Sequence, residues 1–449
     1  MSHVSPCPSY RWLALALLAL LAPSIGACRG ASRPTAGRAD PQAQPAAPGA
    51  PQPSGQPGVG PRAPAAGPGQ RLQPSDFSYR GAFRLPEDFG WGARGMALQP
   101  AAAGRPAVLL VIGRDQRPVE LGRVALVAPV PVSDFRQAPL APLLGPIASF
   151  DGSLAESVST EYVFGSGIAY VPRRGTQRSD KLYGSIDNWY GVEDETFPTV
   201  WFSELDGSRP RGLFHVGPKR APFHGNMAGD YLFAVPQWYA DANLGGRSLV
   251  TGKTRGAFHG SQGPTLFAFR PWDSEQPSGD LDALPLLFYR IRYPECAGPN
   301  VGDPRRCDFP GFTMCDKWQA GAFVESGPRR AIVLSGVKGL GPNGYGEAPS
   351  AKSCEPSKGY HCDPFERQVL FYDVDELGAV ARGRREPWSV VPYAVWRPGE
   401  LFLQGHTCGQ MGGMTFDPAT GTLLVAEKGL GENNDAAVHV WAVAPAPGR

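Results

Sequence analysis

The stretch Gly413-Met414-Thr415-Phe416 opens a run of β-forming residues, and openings of the same kind occur four more times after residue 90. Each places a glycine and small or apolar residues at the start of a strand. The third copy follows this pattern least closely. The others are Gly95-Met96-Ala97-Leu98, Gly167-Ile168-Ala169-Tyr170, Met227-Ala228-Gly229-Asp230 and Gly321-Ala322-Phe323-Val324. Short β-branched and aromatic runs separated by Gly and Pro indicate an all-β fold.

Further β-forming runs follow each opening. The predicted second strands are 108–113, 181–186, 231–235, 331–337 and 423–427. The predicted third strands are 119–127, 199–205, 265–269, 368–374 and 438–443. Fourth strands are predicted at 212–216, 286–293 and 390–397, with a less regular one at 140–144. A unit of three or four strands that repeats radially is typical of a β-propeller, and the long spacing of about 75 residues places the extra length in loops.

The two chain ends suggest how the ring closes. The fifth unit ends after its third strand, and Tyr79-Arg80-Gly81-Ala82-Phe83-Arg84-Leu85-Pro86 has no unit of its own. This run resembles the outer strands at 288–294 and 392–398, so we expect it to complete the last blade and leave no long free edge. The sequence therefore predicts a five-bladed β-propeller, or six blades if residues 124–160 hold a degenerate unit. A pair of β-sandwiches is the remaining alternative, but it would not explain the repeat.

The N-terminus has the features of an export signal. Arg11 precedes an apolar run at 12–22, which is too short to span a bilayer but fits the hydrophobic region of a signal peptide. Ile25-Gly26-Ala27-Cys28 resembles a bacterial lipobox, which implies lipidation of Cys28. An ordinary signal peptide with an incidental cysteine is the alternative. Arg29, and not aspartate, follows Cys28. This resembles the pattern in Gram-negative lipoproteins that are sorted to the outer membrane.

Composition divides the rest of the chain into two parts. Residues 29–73 contain ten prolines and no aromatic residue, so they cannot bury enough apolar surface to fold. We therefore expect a lipoprotein signal peptide over 1–27, a Pro/Ala/Gly tether over 28–73 and a propeller domain over 74–449. The net charge is +2 with no basic stripe, which argues against a nucleic-acid partner. We expect a monomer attached to the cell envelope through its lipid.

Three stretches resemble a family of uncharacterised exported bacterial β-propeller lipoproteins. They are the start at Tyr79 to Pro86, the pair Gln368-Val369-Leu370-Phe371-Tyr372-Asp373 and Pro387-Trp388-Ser389-Val390-Val391-Pro392-Tyr393, and the ending Asp417-Pro418-Ala419-Thr420 with Val438-His439-Val440-Trp441. The matches are scattered over most of the domain. The resemblance supports a propeller and brings no established activity.

The cysteines favour disulfides. Of the eight, Cys7 lies in the signal and Cys28 in the lipobox, which leaves an even number in an exported chain. We predict Cys296–Cys307 and Cys354–Cys362, which close short loops rich in Pro and Gly. By elimination, Cys315–Cys408 is the third pair.

The loops predict where a ligand would bind. In a propeller, the loops between second and third strands share a face with those that lead into each inner strand, and concave surfaces are the usual ligand sites. On this face we place aromatic, amide and basic side chains that could hold a sugar or a protein partner. They are Trp189, Tyr190, Trp238, Tyr239, Lys338, Asn343, Tyr345, Lys428 and Asn433. Core packing is the alternative role of the aromatic residues.

Four further residues are catalytic candidates on the same face: Glu161, His224, Asp316 and His406. Glu161 and Asp316 could form a carboxylate pair for acid–base chemistry, and capping of strands is the alternative. No cofactor is required, although Glu432, Asn433, Asn434 and Asp435 could hold a Ca²⁺ ion without the spacing of an EF-hand loop. We expect a binding or scaffold domain for a glycan or envelope protein; the alternative is a glycan-active hydrolase or lyase.

Overall fold

The computed structural model describes residues 70–90, 92–113, 120–149, 162–188, 197–254, 260–271, 280–298, 300–350, 353–354, 358–404 and 410–445. Signal peptide, lipobox and nearly all of the tether therefore lie outside the described residues. Arg71 and Leu72, which we assigned to the tether, contact the folded domain: Leu72 is fully buried, and Nε of Arg71 donates to Oδ2 of Asp373 at 2.6 Å. Within the described residues no helix is both long and apolar enough to cross a membrane.

Five four-stranded antiparallel sheets form the blades. The first strand of the chain is β1 (Phe77–Arg84). Blade one consists of β2 (Met96–Gln99), β3 (Val108–Ile112), β4 (Glu120–Ala125) and β5 (Ala148–Ser149). Blade two consists of β6 (Tyr162–Val171), β7 (Lys181–Asn188), β8 (Val200–Glu204) and β9 (Arg211–Phe214). Blade three consists of β10 (Tyr231–Ala234), β11 (Leu249–Gly252), β12 (Leu266–Phe269) and β13 (Ala283–Leu287).

Blade four contains the longest described strand, β15. Blade four consists of β14 (Lys317–Ser326), β15 (Arg329–Gly339), β18 (Phe365–Tyr372) and β19 (Ala394–Trp396). A separate hairpin of β16 (Gly344–Gly346) and β17 (Gly359–His361) rises between β15 and β18. Blade five consists of β20 (Gln410–Asp417), β21 (Thr422–Leu430), β22 (Asp435–Val443) and β1. Two short helices, α1 (Gln237–Asn243) and α2 (Val374–Ala381), follow β10 and β18.

The inner strands form a closed ring. Strand β2 contacts β6, β6 contacts β10, β10 contacts β14, β14 contacts β20, and β20 returns to β2. The predicted five-bladed propeller is therefore confirmed. The predicted fourth strand of blade one is wrong in position, because β5 lies at Ala148–Ser149 while residues near Leu140 and Leu143 make only isolated bridges to β1 and β4.

The N-terminal strand closes the last blade, as predicted. Strand β1 pairs with β22 from Phe77 opposite Val443 to Arg84 opposite Ala437. Its other edge is covered, since the amide of Ala82 donates to the carbonyl of Val130 at 3.0 Å. Gly81 is required here: its φ is +117°, and a Cβ would lie 2.3 Å from the backbone of Val130.

Blade three corrects one strand prediction. Residues 227–230 do not form the inner strand, because Gly225–Met227 is a 3-10 turn and Gly229 has a φ of +109°. The inner strand is instead β10, which we predicted to be the second strand. The true second strand, β11, contains the short run Leu249-Val250-Thr251, which we missed. As a result, α1 joins the first and second strands and lies on the face opposite to the one predicted for Trp238 and Tyr239.

The centre of the ring is nearly filled. The cavity between the five inner strands has a volume of about 10 Å³, which is barely enough for one water molecule. Glycines allow this close approach: a Cβ on Gly167 would lie 2.2 Å from the amide nitrogen of Leu232, and one on Gly413 would lie 2.5 Å from that of Met96. The space between the described inner strands is therefore too small for an organic ligand.

A buried polar network joins blades four and five. Glu427 accepts hydrogen bonds from Nη2 of Arg367 at 2.9 Å and from the ring of His439 at 2.8 Å. The other ring nitrogen of His439 lies 2.9 Å from the hydroxyl of Tyr79 on β1. All three side chains of the Arg367, Glu427 and His439 group are fully buried. The network thus links the closing strand to the neighbouring blade.

Candidate functional site

A cavity of about 350 Å³ lies in the long connection between the second and third strands of blade four. This volume is in the range of small-molecule sites. It is lined by Asn300, Pro342, Asn343, Gly344, Tyr345, Glu347, Pro349, His361 and Asp363. The connection is on the face that we predicted from topology, and Asn343 and Tyr345 are two of the predicted ligand-binding residues. We call it the blade-four pocket.

Asp316 and Lys338 hold the start of the connection that carries the pocket. The fully buried Asp316 accepts from the hydroxyl of Thr313 at 2.7 Å, from Nζ of Lys338 at 2.9 Å and from the amide of Gly339 at 3.0 Å. Burial raises the pKa of Asp316, although the charge of Lys338 and the hydrogen bonds from Thr313 oppose that rise. Lys338 also donates to the carbonyl of Gly339 at 2.9 Å. Both side chains therefore fix the start of the long loop and lie outside the pocket lining.

A disulfide between Cys315 and Cys362 clamps the hairpin to the beginning of the blade. Gly339 lies directly beside it: a Cβ there would lie 2.7 Å from that of Cys362 and 3.1 Å from that of Cys315. The amide of Gly341 also donates to the carbonyl of Cys362 at 2.9 Å. Backbone pairing at the end of β15 thus brings Cys362 to Cys315, across the blade.

This pairing corrects two predicted disulfides. Cys354–Cys362 and Cys315–Cys408 are both wrong, because Cys362 is bonded to Cys315. Short sequence separation favoured the local pair, but the intervening hairpin turns Cys362 toward the inner strand. Cys354 is disulfide-bonded as well. The predicted Cys296–Cys307 disulfide is confirmed.

Tyr345 presents an aromatic face at the rim of the pocket. Its side chain is 47% exposed, and its ring packs edge-on against Tyr360 with 5.0 Å between centroids. The amide of Tyr345 donates to Oδ1 of Asn300 at 2.8 Å. Next to it, Oδ1 of Asn343 accepts from the amide of Met314 at 2.8 Å. Hydrogen bonds from two separate segments therefore hold this aromatic wall in place.

His361 and Asp363 supply buried polar atoms that we did not predict. His361 is 7% exposed, and its Nε2 lies 2.9 Å from the carbonyl of Gly346. Oδ1 of Asp363 accepts from the amide of Cys354 at 3.0 Å. In the part of the chain that the structure describes, neither Nδ1 of His361 nor Oδ2 of Asp363 has a hydrogen-bond partner. Both atoms are buried, so a ligand in the cavity does not reach them in this conformation.

The remaining predicted residues of blade five lie elsewhere. Lys428 is buried in β21 opposite Gln410. Glu432 and Asn433 are exposed in the tight turn between β21 and β22, where Asn434 has a φ of +57° and Asp435 begins the next strand. Across the described ranges, no three acidic, histidine or cysteine side chains are grouped so as to hold a metal ion. None of these residues is in the described lining of the blade-four pocket.

Of the four catalytic candidates, Asp316 and His224 lie among the described residues, on different parts of the chain. Asp316 is buried directly before β14, and His224 precedes the 3-10 turn at Gly225–Met227 that leads into blade three. Glu161, His406, Trp189 and Tyr190 lie outside the described residues. Tyr239 is buried, with its hydroxyl donating to the carbonyl of Val374 at 2.6 Å. Trp238 is 45% exposed on α1, with Arg330 5.1 Å from its ring centroid.

Comparison with known proteins does not add to this site. No protein-family model matches the chain. No curated protein matches its sequence significantly either.

Proposed function

We propose that the chain is a cell-envelope lipoprotein whose propeller is a glycan-binding domain. The observation that carries the glycan proposal is the blade-four pocket, where the exposed ring of Tyr345 lies beside amide and carboxylate side chains. A sugar offers an apolar ring face for stacking and hydroxyl groups around its edge, so it matches such a surface. The proposed lipid at Cys28 would hold this domain at the membrane.

Two features support binding over turnover. The Cys315–Cys362 disulfide and the contacts of buried Asp316 hold the connection that carries the pocket, which favours a preformed site that loses little entropy when it binds. A hydrolase or lyase is not favoured, because Asp316 is fully buried and its carboxylate already accepts several hydrogen bonds. An acid–base catalyst must be within hydrogen-bond reach of its substrate.

A glycan array followed by titration calorimetry tests the binding proposal. We expect Tyr345→Ala to weaken binding about tenfold or more, since stacking and apolar contact on the ring are lost. Trp238→Ala is the matched control, because Trp238 has nearly the same exposure, 45% against 47%, on the opposite face. Equal losses in the two variants, or a protein with no glycan ligand at all, would contradict the proposal.

The lipid anchor has its own test. The full chain, expressed in a Gram-negative host with a clickable fatty acid, should be labelled and recovered with the membranes. Cys28→Ser should abolish both the label and membrane recovery. A label that persists in Cys28→Ser, or that never appears in the natural sequence, would refute lipidation at this residue.

A further inference from the structure

We infer that the ligand of the blade-four pocket is an oligosaccharide, and that Tyr293 forms a second sugar-binding position outside the pocket. This inference rests on the proposed glycan-binding function and concerns the length of the glycan. It comes from the loop that the Cys296–Cys307 disulfide closes, which we call the disulfide loop. One part of that loop contacts Tyr345, and another part contacts Tyr293.

Asn300 joins the disulfide loop to the pocket. It is exposed and belongs to the pocket lining. Its Oδ1 accepts from the amide of Tyr345 at 2.8 Å, and its Nδ2 donates to the carbonyl of the same residue at 3.4 Å. These two hydrogen bonds fix the loop relative to the aromatic wall. The pocket is therefore continuous with the surface of the disulfide loop.

Tyr293 presents a second aromatic face beside this loop. Its side chain is 49% exposed, close to the 47% of Tyr345. A Cβ on Gly298 would lie 2.4 Å from Cε2 of Tyr293 and 3.1 Å from Cγ2 of Val301, so the ring packs against the loop backbone. Val301 is itself 40% exposed. An exposed strip therefore runs from Tyr345 through Asn300 and Val301 to Tyr293.

The disulfide loop is held in place from below. Gln262 is buried, and its Nε2 donates to the carbonyl of Ala297 at 2.7 Å while its Oε1 accepts from the amide of Arg292 at 2.7 Å. Gly298 and Val301 exchange backbone hydrogen bonds of 3.2 and 3.4 Å. A site that is ordered before binding loses little entropy when the ligand arrives. The strip thus has the order that a preformed binding surface needs.

Two exposed tyrosine rings along one strip match a chain of sugars better than a single sugar. One sugar ring packs on one aromatic face, so Tyr345 and Tyr293 each provide one position. The amide of Asn300 lies between them along the strip. A side-chain amide can donate twice and accept twice, so Asn300 can also bond to a sugar hydroxyl. We therefore expect affinity to increase with the number of linked rings.

Nuclear magnetic resonance titration with two series of oligosaccharides tests this expectation. The probes are β-1,4-linked glucose and β-1,4-linked N-acetylglucosamine, each from one to six rings. In the series that binds, the tetramer should bind at least tenfold tighter than the single sugar. Tyr293→Ala should weaken tetramer binding about fivefold, since contact with one aromatic face is lost. The same variant should leave the affinity for the single sugar within twofold.

Three further variants assign the effect to the two rings. Tyr293→Phe keeps the aromatic face and should bind the tetramer within twofold of the natural chain. Tyr345→Ala should weaken binding of the single sugar and of the tetramer alike, because it changes the pocket itself. Trp238→Ala, an aromatic residue of similar exposure on the opposite face, should change neither.

The outcomes separate the two proposals. Equal affinity for one ring and four, with loss of both in Tyr345→Ala, would overturn the oligosaccharide inference and leave glycan binding standing. A gain with length that survives Tyr293→Ala would overturn the role of Tyr293. So would an equal loss for single sugar and tetramer in that variant, since Tyr293 would then only support the pocket. Failure of both series to bind at every length would overturn both proposals.

Discussion

Replacing Glu427 by Gln should destabilise the propeller more than any surface charge substitution. The carboxylate accepts from Arg367, from His439 and from the backbone amides of Leu403 and Gln404, at 2.8 to 3.0 Å. Arg367, Glu427 and His439 have no exposed side-chain surface. The substitution removes the negative charge and turns one acceptor oxygen into an NH₂ group.

The size of the effect follows from what remains buried. Arg367 loses the carboxylate to which it donates, and removal of one partner of a buried pair typically costs about 3–5 kcal/mol. At least one donor that met the lost oxygen also stays unpaired, at about 1–3 kcal/mol. Because these contributions overlap, we expect the free energy of unfolding to fall by about 3–5 kcal/mol in Glu427→Gln.

Urea unfolding followed by tryptophan fluorescence measures this loss. Glu366→Gln is a matched control on the neighbouring blade, because Glu366 pairs with Arg397, whose side chain is 60% exposed. An exposed pair of this kind contributes at most about 1 kcal/mol. In the double variant of Glu427→Gln with Arg367→Met, the combined loss should be smaller than the sum of the single losses. A loss in Glu427→Gln no larger than that of the control would refute the assignment of a buried, coupled network.

Three further predictions concern other parts of the same structure. The difference in stability between the natural chain and Glu427→Gln should shrink as the pH falls below 4.5, and a constant difference down to pH 2 would contradict this. Burial alone raises the pKa of Glu427, but the hydrogen bond from His439 and the charges of His439 and Arg367 outweigh it and hold that pKa below its ordinary value of 4.5. The stabilisation is therefore present above this pH and is lost on acidification. Joint replacement of Cys315 and Cys362 by alanine opens a loop of 47 residues and should lower the free energy of unfolding by about 4 kcal/mol. Calorimetry should also show weaker binding in the blade-four pocket. An unchanged melting temperature would count against a stabilising role of this disulfide. Gly413→Ala should cost about 1–3 kcal/mol in thermal unfolding because its Cβ would lie 2.5 Å from Met96, whereas a neutral result would mean that the inner strands can separate freely.

Local patterns predicted most of the fold because each blade forms from neighbouring segments. The resemblance of Tyr79 to Leu85 to other outer strands was enough to predict ring closure, and β1 pairs with β22 accordingly. Blade three was harder, since the strand at Leu249–Gly252 has only four residues and follows a helix. The positive φ of Gly229, which ends the preceding turn, is not readable from residue type alone.

The sequence predicted one side of the pocket and missed the other. Asn343 and Tyr345 follow a glycine-rich turn on the predicted face, so topology was sufficient to select them. His361 and Asp363 come from the far arm of a second hairpin, whose pairing of Gly344 with His361 depends on the Cys315–Cys362 disulfide and the backbone around it. Their position on either side of Cys362 was the available signal, because a disulfide fixes its neighbours in space. Because we predicted Cys354–Cys362, we placed the neighbours of Cys362 in a short local loop and not beside Cys315.

Because the last blade combines β1 with β20, β21 and β22, the propeller closes late in folding. Blades one to four can each form from residues that are close in sequence, but the ladder between Phe77 and Val443 joins β1 to the distant β22. Contacts between residues that are 360 positions apart, such as Tyr79 with His439, form slowly because the intervening chain must first be ordered. Until then the growing polypeptide remains an open arc. Loss of a few C-terminal residues in β22 would therefore leave every synthesised molecule in this unclosed state, with the first strand unpaired.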